Sequence, residues 1–166
     1  MADDTAPLGR IQRTENGIEG RIERHFPHPP EALWQMLTEP QAIAQWLAPG
    51  TIDLRLGGRV HIDFGDSGVV IDSTVLALEP LQELSYSWSN GDDPERPLRW
   101  RLARTETGTD LVLTVTLPAA EDIAKACAGF EAHLEMLAAA LEGVPIHFPF
   151  QLYLARRGAY QEMLTE

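Results

Sequence analysis

Apolar and polar residues alternate along several stretches of this chain, which is the pattern of half-buried β-strands. After the Asn16-Gly17 pair, a strong hairpin-turn signal, the stretch IEGRIERHF places Ile18, Ile22 and Phe26 on one face. The alternation recurs in RVHIDF, LSYSW, LRWRLA and LVLTVTL, and VVIDSTVLAL follows it less regularly. Turn sequences such as GDSG, EPLQ and ETGTD separate these stretches. Consecutive strands with short turns predict an antiparallel sheet with one covered and one wet face.

Two short helices are predicted after the first strands. The proline-rich segment 27–30 ends the strand because proline has no N–H for the ladder, and Pro30 suits the first turn of a helix. Pro40 ends this first helix and begins the second. Each helix is too short to be stable alone, so we expect its tryptophan, Trp34 or Trp46, to pack against the sheet.

A long helix is predicted over residues 119–142, ended by Gly143 and Pro145. Its apolar face is expected to hold Phe130, Leu134, Leu137 and Leu141, with His133 at the border. A short terminal helix is also expected, with an apolar face of Phe150, Tyr153, Leu154, Tyr160 and Leu164.

This order of elements resembles the helix-grip fold of the START-like, polyketide-cyclase-like (SRPBCC) superfamily. Within it, the chain resembles the family named after the activator of the ninety-kilodalton heat-shock protein's ATPase. The motifs that carry the resemblance are RHFPHPPEALWQMLTEP, the Trp46-Leu47 pair, LRLGGRV, LSYSW, GTDLVLT and AGFEAHLEMLAAALEG. The resemblance implies an α+β fold in which a curved antiparallel sheet wraps around a long C-terminal helix and leaves a cavity between them. We expect one such domain over residues 9–166, preceded by a disordered segment, residues 1–8.

The chain's 166 residues carry a formal net charge of -12. This charge argues against nucleic acid as a partner, because phosphate backbones attract clustered lysine and arginine. No apolar run is long enough to span a membrane, and the acidic N-terminus MADDTAPLGR does not look like a secretory signal. The single cysteine, Cys127, is expected to be buried and inert, and it fits a cytoplasmic location.

The predicted cavity is lined by the inward rows of the strands and by one face of the long helix. We expect a mostly apolar wall with few polar groups, as ligand sites usually have. The expected ligand-binding residues, with Trp46 near the entrance, are Trp46, Ile62, Phe64, Tyr86, Trp88, Trp100, Phe130, His133 and Leu137. The opposite, wet face of the sheet is expected to carry Arg59, His61, Asp63, Arg99 and Arg101.

His133 is the most interesting polar candidate. A histidine here could bind a ligand or act as an acid or base, although such a residue is more often satisfied by a neighbouring carbonyl or hydroxyl. Gly57-Gly58 is expected to form a tight strand entry, because no P-loop pattern surrounds it. The histidines show no metal-ligand spacing and no nucleotide fingerprint is present, so no metal, cofactor or catalytic residue is predicted.

Three hypotheses for function remain open from the sequence. The first is a carrier of a small hydrophobic molecule of lipid or polyketide type. The second is a cyclase- or hydratase-like enzyme using the same cavity, for which only His133 and Tyr86 are credible acid or base groups. The third is a module that binds a chaperone, another protein or a second copy of the chain, which would leave a large exposed apolar patch.

Overall fold

The computed structural model describes residues 6–165. Within this range, eight strands form one curved antiparallel sheet in the order β1-β2-β8-β7-β6-β5-β4-β3, so the predicted α+β fold is confirmed. The strands are β1 (Arg10–Arg13), β2 (Gly17–Phe26), β3 (Gly50–Ile52), β4 (Arg59–Asp63), β5 (Val70–Glu79), β6 (Glu83–Ser87), β7 (Pro97–Thr105) and β8 (Gly108–Pro118). The helices are α1 (Pro30–Thr38), α2 (Pro40–Trp46), α3 (Ile123–Leu141) and α4 (Phe150–Thr165), and a single 3₁₀ turn spans Gly65–Ser67.

The alternation in the sequence predicts correctly which face of β4 and of β7 is covered. In β7, Leu98, Trp100 and Leu102 are buried, while Arg99 and Arg101 between them are exposed. In β4, Val60 and Ile62 are fully buried. The outward residues of the same strand, Arg59, His61 and Asp63, are exposed or half-buried, as predicted.

The entry into β4 is a turn that requires glycine. Gly57 has a φ of +77°, in the left-handed region that residues with a side chain rarely adopt. A Cβ at Gly58 would lie 2.0 Å from the carbonyl oxygen of Asp53. The Gly57-Gly58 pair is therefore a structural strand entry, as predicted.

The two short helices pack as expected, although neither has a side-chain cap. Pro29 and Glu39 occupy the N-cap positions of α1 and α2, and neither accepts a capping hydrogen bond through its side chain. Packing holds the helices instead, since Leu33, Ile43 and Trp46 are buried in the core. Trp34 is half-buried against that core.

The long helix is shorter at its start than predicted. It begins at Ile123 rather than at residue 119, because the side chain of Asp122 accepts a hydrogen bond from the backbone N–H of Lys125 and caps it. The helix ends at Leu141, and Gly143 follows with a φ of +80°. α3 contacts β2 and β8 of the sheet and also α1, α2 and α4.

The terminal helix differs more from its prediction. α4 covers the stretch in which a short terminal helix was predicted, and it packs against α3, so α3 is not the last helix. Of its predicted apolar face, Tyr160 is buried and Tyr153 is half-buried, but Phe150, Leu154 and Leu164 are exposed. The buried positions are Leu152, Arg156 and Tyr160, which recur every four residues and so share one side of the helix.

A buried charge cluster explains why α4 buries an arginine. The carboxylate of Glu131 in α3 accepts hydrogen bonds from Arg156 Nε at 2.7 Å, from Arg24 at 2.5 Å and from the Tyr160 hydroxyl. The Tyr160 oxygen in turn accepts the backbone N–H of Gly9 at 2.7 Å. The cluster therefore ties β2, α3, α4 and the N-terminal segment together.

The segment 1–8, expected to be disordered, is described only from residue 6 onward; residues 1–5 lie outside the described residues. The carbonyl oxygen of Pro7 accepts a hydrogen bond from Arg156 at 3.1 Å. Leu8 packs against the hydrophobic core. The end of this segment is thus in contact with the folded chain.

Candidate ligand-binding pocket

A pocket of about 870 Å³ lies between the sheet and the N-terminal half of α3. One face of α3 forms its floor, through Ala126, Gly129, Phe130 and His133, which recur at helical spacing. The pocket reaches the surface, where exposed residues of the rim include Val69, Asn90, Asp93, Asp122 and Lys125. The remaining lining residues are Phe64, Ser67, Gly68, Val70, Ile71, Trp88, Ser89, Arg96, Val115, Leu117, Glu121, Phe148 and Tyr153.

The structure divides the predicted ligand-binding residues into two groups. Phe64, Trp88, Phe130 and His133 line the pocket. The other group belongs to the packed core and does not reach the pocket wall, and its members are Trp46, Ile62, Tyr86, Trp100 and Leu137.

Trp46 shows why a residue on the inward side need not line the pocket. It is 1% exposed, so the expectation that it lies near the entrance is wrong. Its indole N–H donates to the backbone carbonyl of Met36 at 2.7 Å, and its ring meets Trp100 edge to face with 5.7 Å between the ring centroids. With its polar atom satisfied and its ring enclosed, Trp46 anchors α2 in the core.

A chain of aromatic contacts leads from this core to the pocket wall. Phe130 meets Trp100 on its core side at 6.2 Å between ring centroids and Trp88 on its pocket side at 5.2 Å. Trp88 meets Phe64 at 5.8 Å, and Phe64 meets the His133 ring at 6.0 Å. These edge-to-face contacts fix the positions of the rings that form the wall.

Trp88 is placed by the hydrogen bonds that end β6. Its backbone N–H donates to the carbonyl of Arg96 at 2.7 Å, across the loop that joins β6 and β7. The Ser87 hydroxyl accepts the backbone N–H of Arg96 at 2.8 Å and is also bonded to the Ser89 hydroxyl. The backbone on both sides of Trp88 is therefore held while its ring faces the pocket.

The rim contains an ion pair that sequence reasoning missed. Arg96 donates to both carboxylate oxygens of Glu121, from Nε at 2.7 Å and from a terminal nitrogen at 3.0 Å. The hydrogen bonds to Glu121 raise the pKa of Arg96 above its ordinary value. This bidentate pair joins the β6–β7 loop to the segment before α3, two regions far apart in sequence.

The segment between α3 and α4 supplies a further part of the wall that was not predicted. Phe148 lies 5.3 Å from His133 and 5.7 Å from Tyr153, measured between ring centroids. The sequence PIHFPF shows no helical or strand periodicity. Its only signal was the presence of aromatic residues between prolines, which does not indicate where they pack.

His133 is held by the backbone of α2. Its Nδ1 lies 2.9 Å from the carbonyl oxygen of Trp46. A carbonyl can only accept, so Nδ1 carries the proton of this hydrogen bond. Burial disfavours the charged imidazolium and lowers the pKa of His133, against a smaller opposing effect of the Trp46 carbonyl. The sequence left open whether His133 contacts a ligand or is satisfied by a neighbouring protein group. In the structure, one ring nitrogen is satisfied by a carbonyl and the side chain lines the pocket.

Two other titratable candidates are unsuited to chemistry in this pocket. Burial raises the pKa of the Tyr86 hydroxyl, which therefore stays protonated, and the residue lies outside the pocket wall. Burial and, to a smaller degree, the charge of Glu131 raise the pKa of Cys127 to about 12. Cys127 is completely buried and remains a thiol, as predicted.

Among residues 6–165, no group of three or more histidine, cysteine or acidic side chains is arranged to hold a metal ion. Nor does any helix in the same range combine the length and apolar character needed to cross a membrane.

A curved antiparallel sheet that encloses a helix and leaves a pocket beside it defines a protein of the helix-grip class. The family description "Activator of Hsp90 ATPase homolog 1-like protein" matches residues 27–142. The chain belongs to this family, as its sequence motifs indicate.

Solved structures show the same architecture. CalU16 from Micromonospora echinospora is 21% identical, with a TM-score of 0.81 over 97% of this chain and 99% of its own. MLL2253 from Mesorhizobium loti is 32% identical, with a TM-score of 0.65 over 77% of this chain and 99% of its own. DynU16, from the dynemicin biosynthetic locus, is 30% identical, with a TM-score of 0.70 over 76% of this chain and 48% of its own. No curated protein matches this sequence.

Proposed function

We propose that this protein binds a small hydrophobic molecule in the pocket between the sheet and α3. The observation that carries the proposal is the pocket itself, with a volume of about 870 Å³ and a wall of aromatic and aliphatic side chains. Ligand sites in proteins typically measure about 300–1,000 Å³ and combine apolar walls with a few placed polar groups. The relation to DynU16, from a biosynthetic locus, is in keeping with a small-molecule ligand.

The arrangement of the wall supports binding more than catalysis. A cyclase or hydratase needs a positioned acid or base in contact with its substrate. Of the two candidates from the sequence, only His133 lines the pocket, while Tyr86 is enclosed in the core. His133 supplies a polar contact on the wall, and a single such contact is sufficient to orient a ligand.

Gly129 provides a direct test of the pocket. It lies on the pocket face of α3, and a methyl group at this position would meet no heavy atom within 4 Å. Gly129→Leu should therefore place its side chain in the pocket without disturbing the core. Gly158→Leu is the matched control, because Gly158 is also helical and equally open but lies outside the pocket.

The assay is titration with the neutral fluorescent probe N-phenyl-1-naphthylamine. We expect saturable binding of one probe molecule to the native protein and to Gly158→Leu. Binding to Gly129→Leu should be at least about tenfold weaker, which corresponds to about 1.4 kcal/mol. If the native protein shows no saturable binding, or if both variants bind as the native protein does, the proposed pocket is not a ligand site.

A second candidate function, a protein-interaction module, is favoured by one separate observation. The segment that joins α3 and α4 exposes Val144 at 63% and Ile146 at 44%, and Phe150, the first residue of α4, is 54% exposed. Clusters of exposed apolar side chains are typical of protein contact surfaces. If this role holds, the protein should stimulate the ATPase of Hsp90, and Val144→Ser with Phe150→Ser should abolish the stimulation. An unchanged ATPase rate would exclude this activity.

A further inference from the structure

The pocket contains a hydrogen-bond acceptor that no group within residues 6–165 satisfies. His133 uses Nδ1 to donate to the Trp46 carbonyl, so the neutral ring leaves a lone pair on Nε2. Within residues 6–165, His133 makes no second hydrogen bond, and the fully enclosed unpartnered side-chain nitrogens belong to Trp100 and Arg157. Nε2 of His133 is therefore unpaired and accessible from the pocket that the side chain lines.

The surroundings of this nitrogen are aromatic. The rings of Phe64 and Phe148 lie 6.0 Å and 5.3 Å from the His133 ring, measured between centroids. Trp88 and Phe130 continue the same wall. A bound planar ring would meet these faces and edges, and it would also exclude water from Nε2.

Excluding water from Nε2 has a cost unless the ligand replaces the lost hydrogen bond. An unsatisfied buried acceptor costs about 1–3 kcal/mol. A ligand with a hydroxyl group near this nitrogen avoids the cost, whereas a purely hydrocarbon ligand does not. A carboxylate would not avoid it, because a carboxylate and a neutral Nε2 are both acceptors.

The charges at the rim also disfavour an anionic ligand. The charged residues that line the pocket are Asp93, Glu121 and Asp122 against Arg96 and Lys125, and Arg96 already pairs with Glu121. The whole chain carries a formal charge of -12. A carboxylate entering the pocket would therefore find no free hydrogen-bond donor on His133. It would also find no excess of positive charge.

We infer that the pocket selects a neutral aromatic molecule with a phenolic or enolic hydroxyl, which donates its hydrogen bond to Nε2 of His133. This inference rests on the proposed function and specifies the ligand class for the same pocket. The aromatic wall binds the ring system, and His133 sets its orientation. Fatty acids and other carboxylates of similar size are excluded as preferred ligands.

Three probes of nearly equal size separate the relevant interactions: 2-naphthol has a donor, 2-methoxynaphthalene has none, and 2-naphthoate is an anion. Equilibrium dialysis at neutral pH measures their affinities for the full chain. We expect 2-naphthol to bind about tenfold more tightly than 2-methoxynaphthalene, the ratio that corresponds to one buried hydrogen bond. We expect 2-naphthoate to bind more weakly than either.

Two substitutions of His133 test the contributions of its two ring nitrogens separately. In His133→Asn, the amide can still donate to the Trp46 carbonyl in place of Nδ1, but no acceptor remains at the position of Nε2. In His133→Gln, the longer side chain returns an oxygen acceptor to that position. The preference for 2-naphthol should disappear in His133→Asn and persist in His133→Gln, while 2-methoxynaphthalene binds both variants similarly. Thermal melts verify that each variant is folded.

The outcomes distinguish the inference from the proposed function. If 2-methoxynaphthalene binds the native protein as tightly as 2-naphthol, or if His133→Asn keeps the preference, the assignment to Nε2 is wrong and the hydrophobic pocket remains. If 2-naphthoate binds most tightly, the ligand is an anion and the inference is also wrong. If none of the three probes binds, the proposed function fails and the inference fails with it.

Discussion

Phe130 joins the core to the pocket, and its replacement by alanine tests both roles together. Its side chain is 5% exposed, and its ring contacts Trp100 on one side and Trp88 on the other. Removing a buried phenylalanine ring typically costs about 3–5 kcal/mol. Phe130 also borders the pocket of about 870 Å³, so the vacated space merges with an existing opening instead of forming a sealed cavity.

The expected cost for Phe130→Ala is therefore about 3 kcal/mol, the lower end of the usual range for this substitution. Two lost aromatic contacts, at about 0.5–1.5 kcal/mol each, account for part of it. For a domain of this size the loss corresponds to a decrease in melting temperature of roughly 6–12 °C. Urea unfolding monitored by tryptophan fluorescence measures the free energy of unfolding directly.

Phe150→Ala is the matched control, because Phe150 is 54% exposed and its substitution should change the free energy of unfolding by less than about 0.5 kcal/mol. The enlarged pocket of Phe130→Ala should also accept probes bulkier than N-phenyl-1-naphthylamine. A loss below about 1 kcal/mol, together with unchanged probe selectivity, would refute the placement of Phe130 between core and pocket.

Three further predictions concern the charge cluster, His133 and the β4 entry. Glu131→Ala should lower the free energy of unfolding by about 3–5 kcal/mol, because it leaves the buried Arg156 and the half-buried Arg24 without their shared carboxylate; a loss under about 1 kcal/mol in urea would contradict this role. Burial lowers the pKa of His133 below its ordinary value of 6.5, so the stabilisation from the neutral form is complete above that value and is lost as the pH falls from it towards the folded pKa. As the pH falls below about 6.5, the melting temperature of the native protein should therefore fall more steeply than that of His133→Asn, and parallel curves would refute the shift. Gly58→Ala should destabilise the fold by more than about 1 kcal/mol, because the added Cβ would meet a backbone carbonyl, and an unchanged melting temperature would show that the turn adapts.

The sequence alone determined the two short helices and the strands other than β3, together with the inward face of the clearly alternating strands. The period of two along β4 and β7 is enough to place Arg59 and Arg99 outside and Ile62 and Trp100 inside, because successive side chains of a strand point to opposite faces. The prolines at 30 and 40 mark the starts of α1 and α2, since a helix tolerates proline only in its first turn. These are local properties that a few neighbouring residues decide.

Only the tertiary structure decided which inward residues line the pocket. Trp88 and Trp100 carry the same signal in the sequence, yet Trp88 faces the pocket and Trp100 is enclosed by Trp46 and Phe130. That difference depends on where the curved sheet separates from α3 and on where α2 fills the gap. Neither the separation of the sheet from α3 nor the position of α2 is encoded in the pattern of any single strand.

The same reason explains the parts of the pocket that the sequence did not reveal. Phe148 reaches the pocket wall from an irregular segment. Arg96 pairs with Glu121, which is 25 residues away in the sequence. The burial of Arg156 in α4 follows from its pairing with Glu131, so a charged residue occupies a position that an apolar pattern would not predict. Such contacts join residues that are distant along the chain, and their energies arise only once the folded elements have come together.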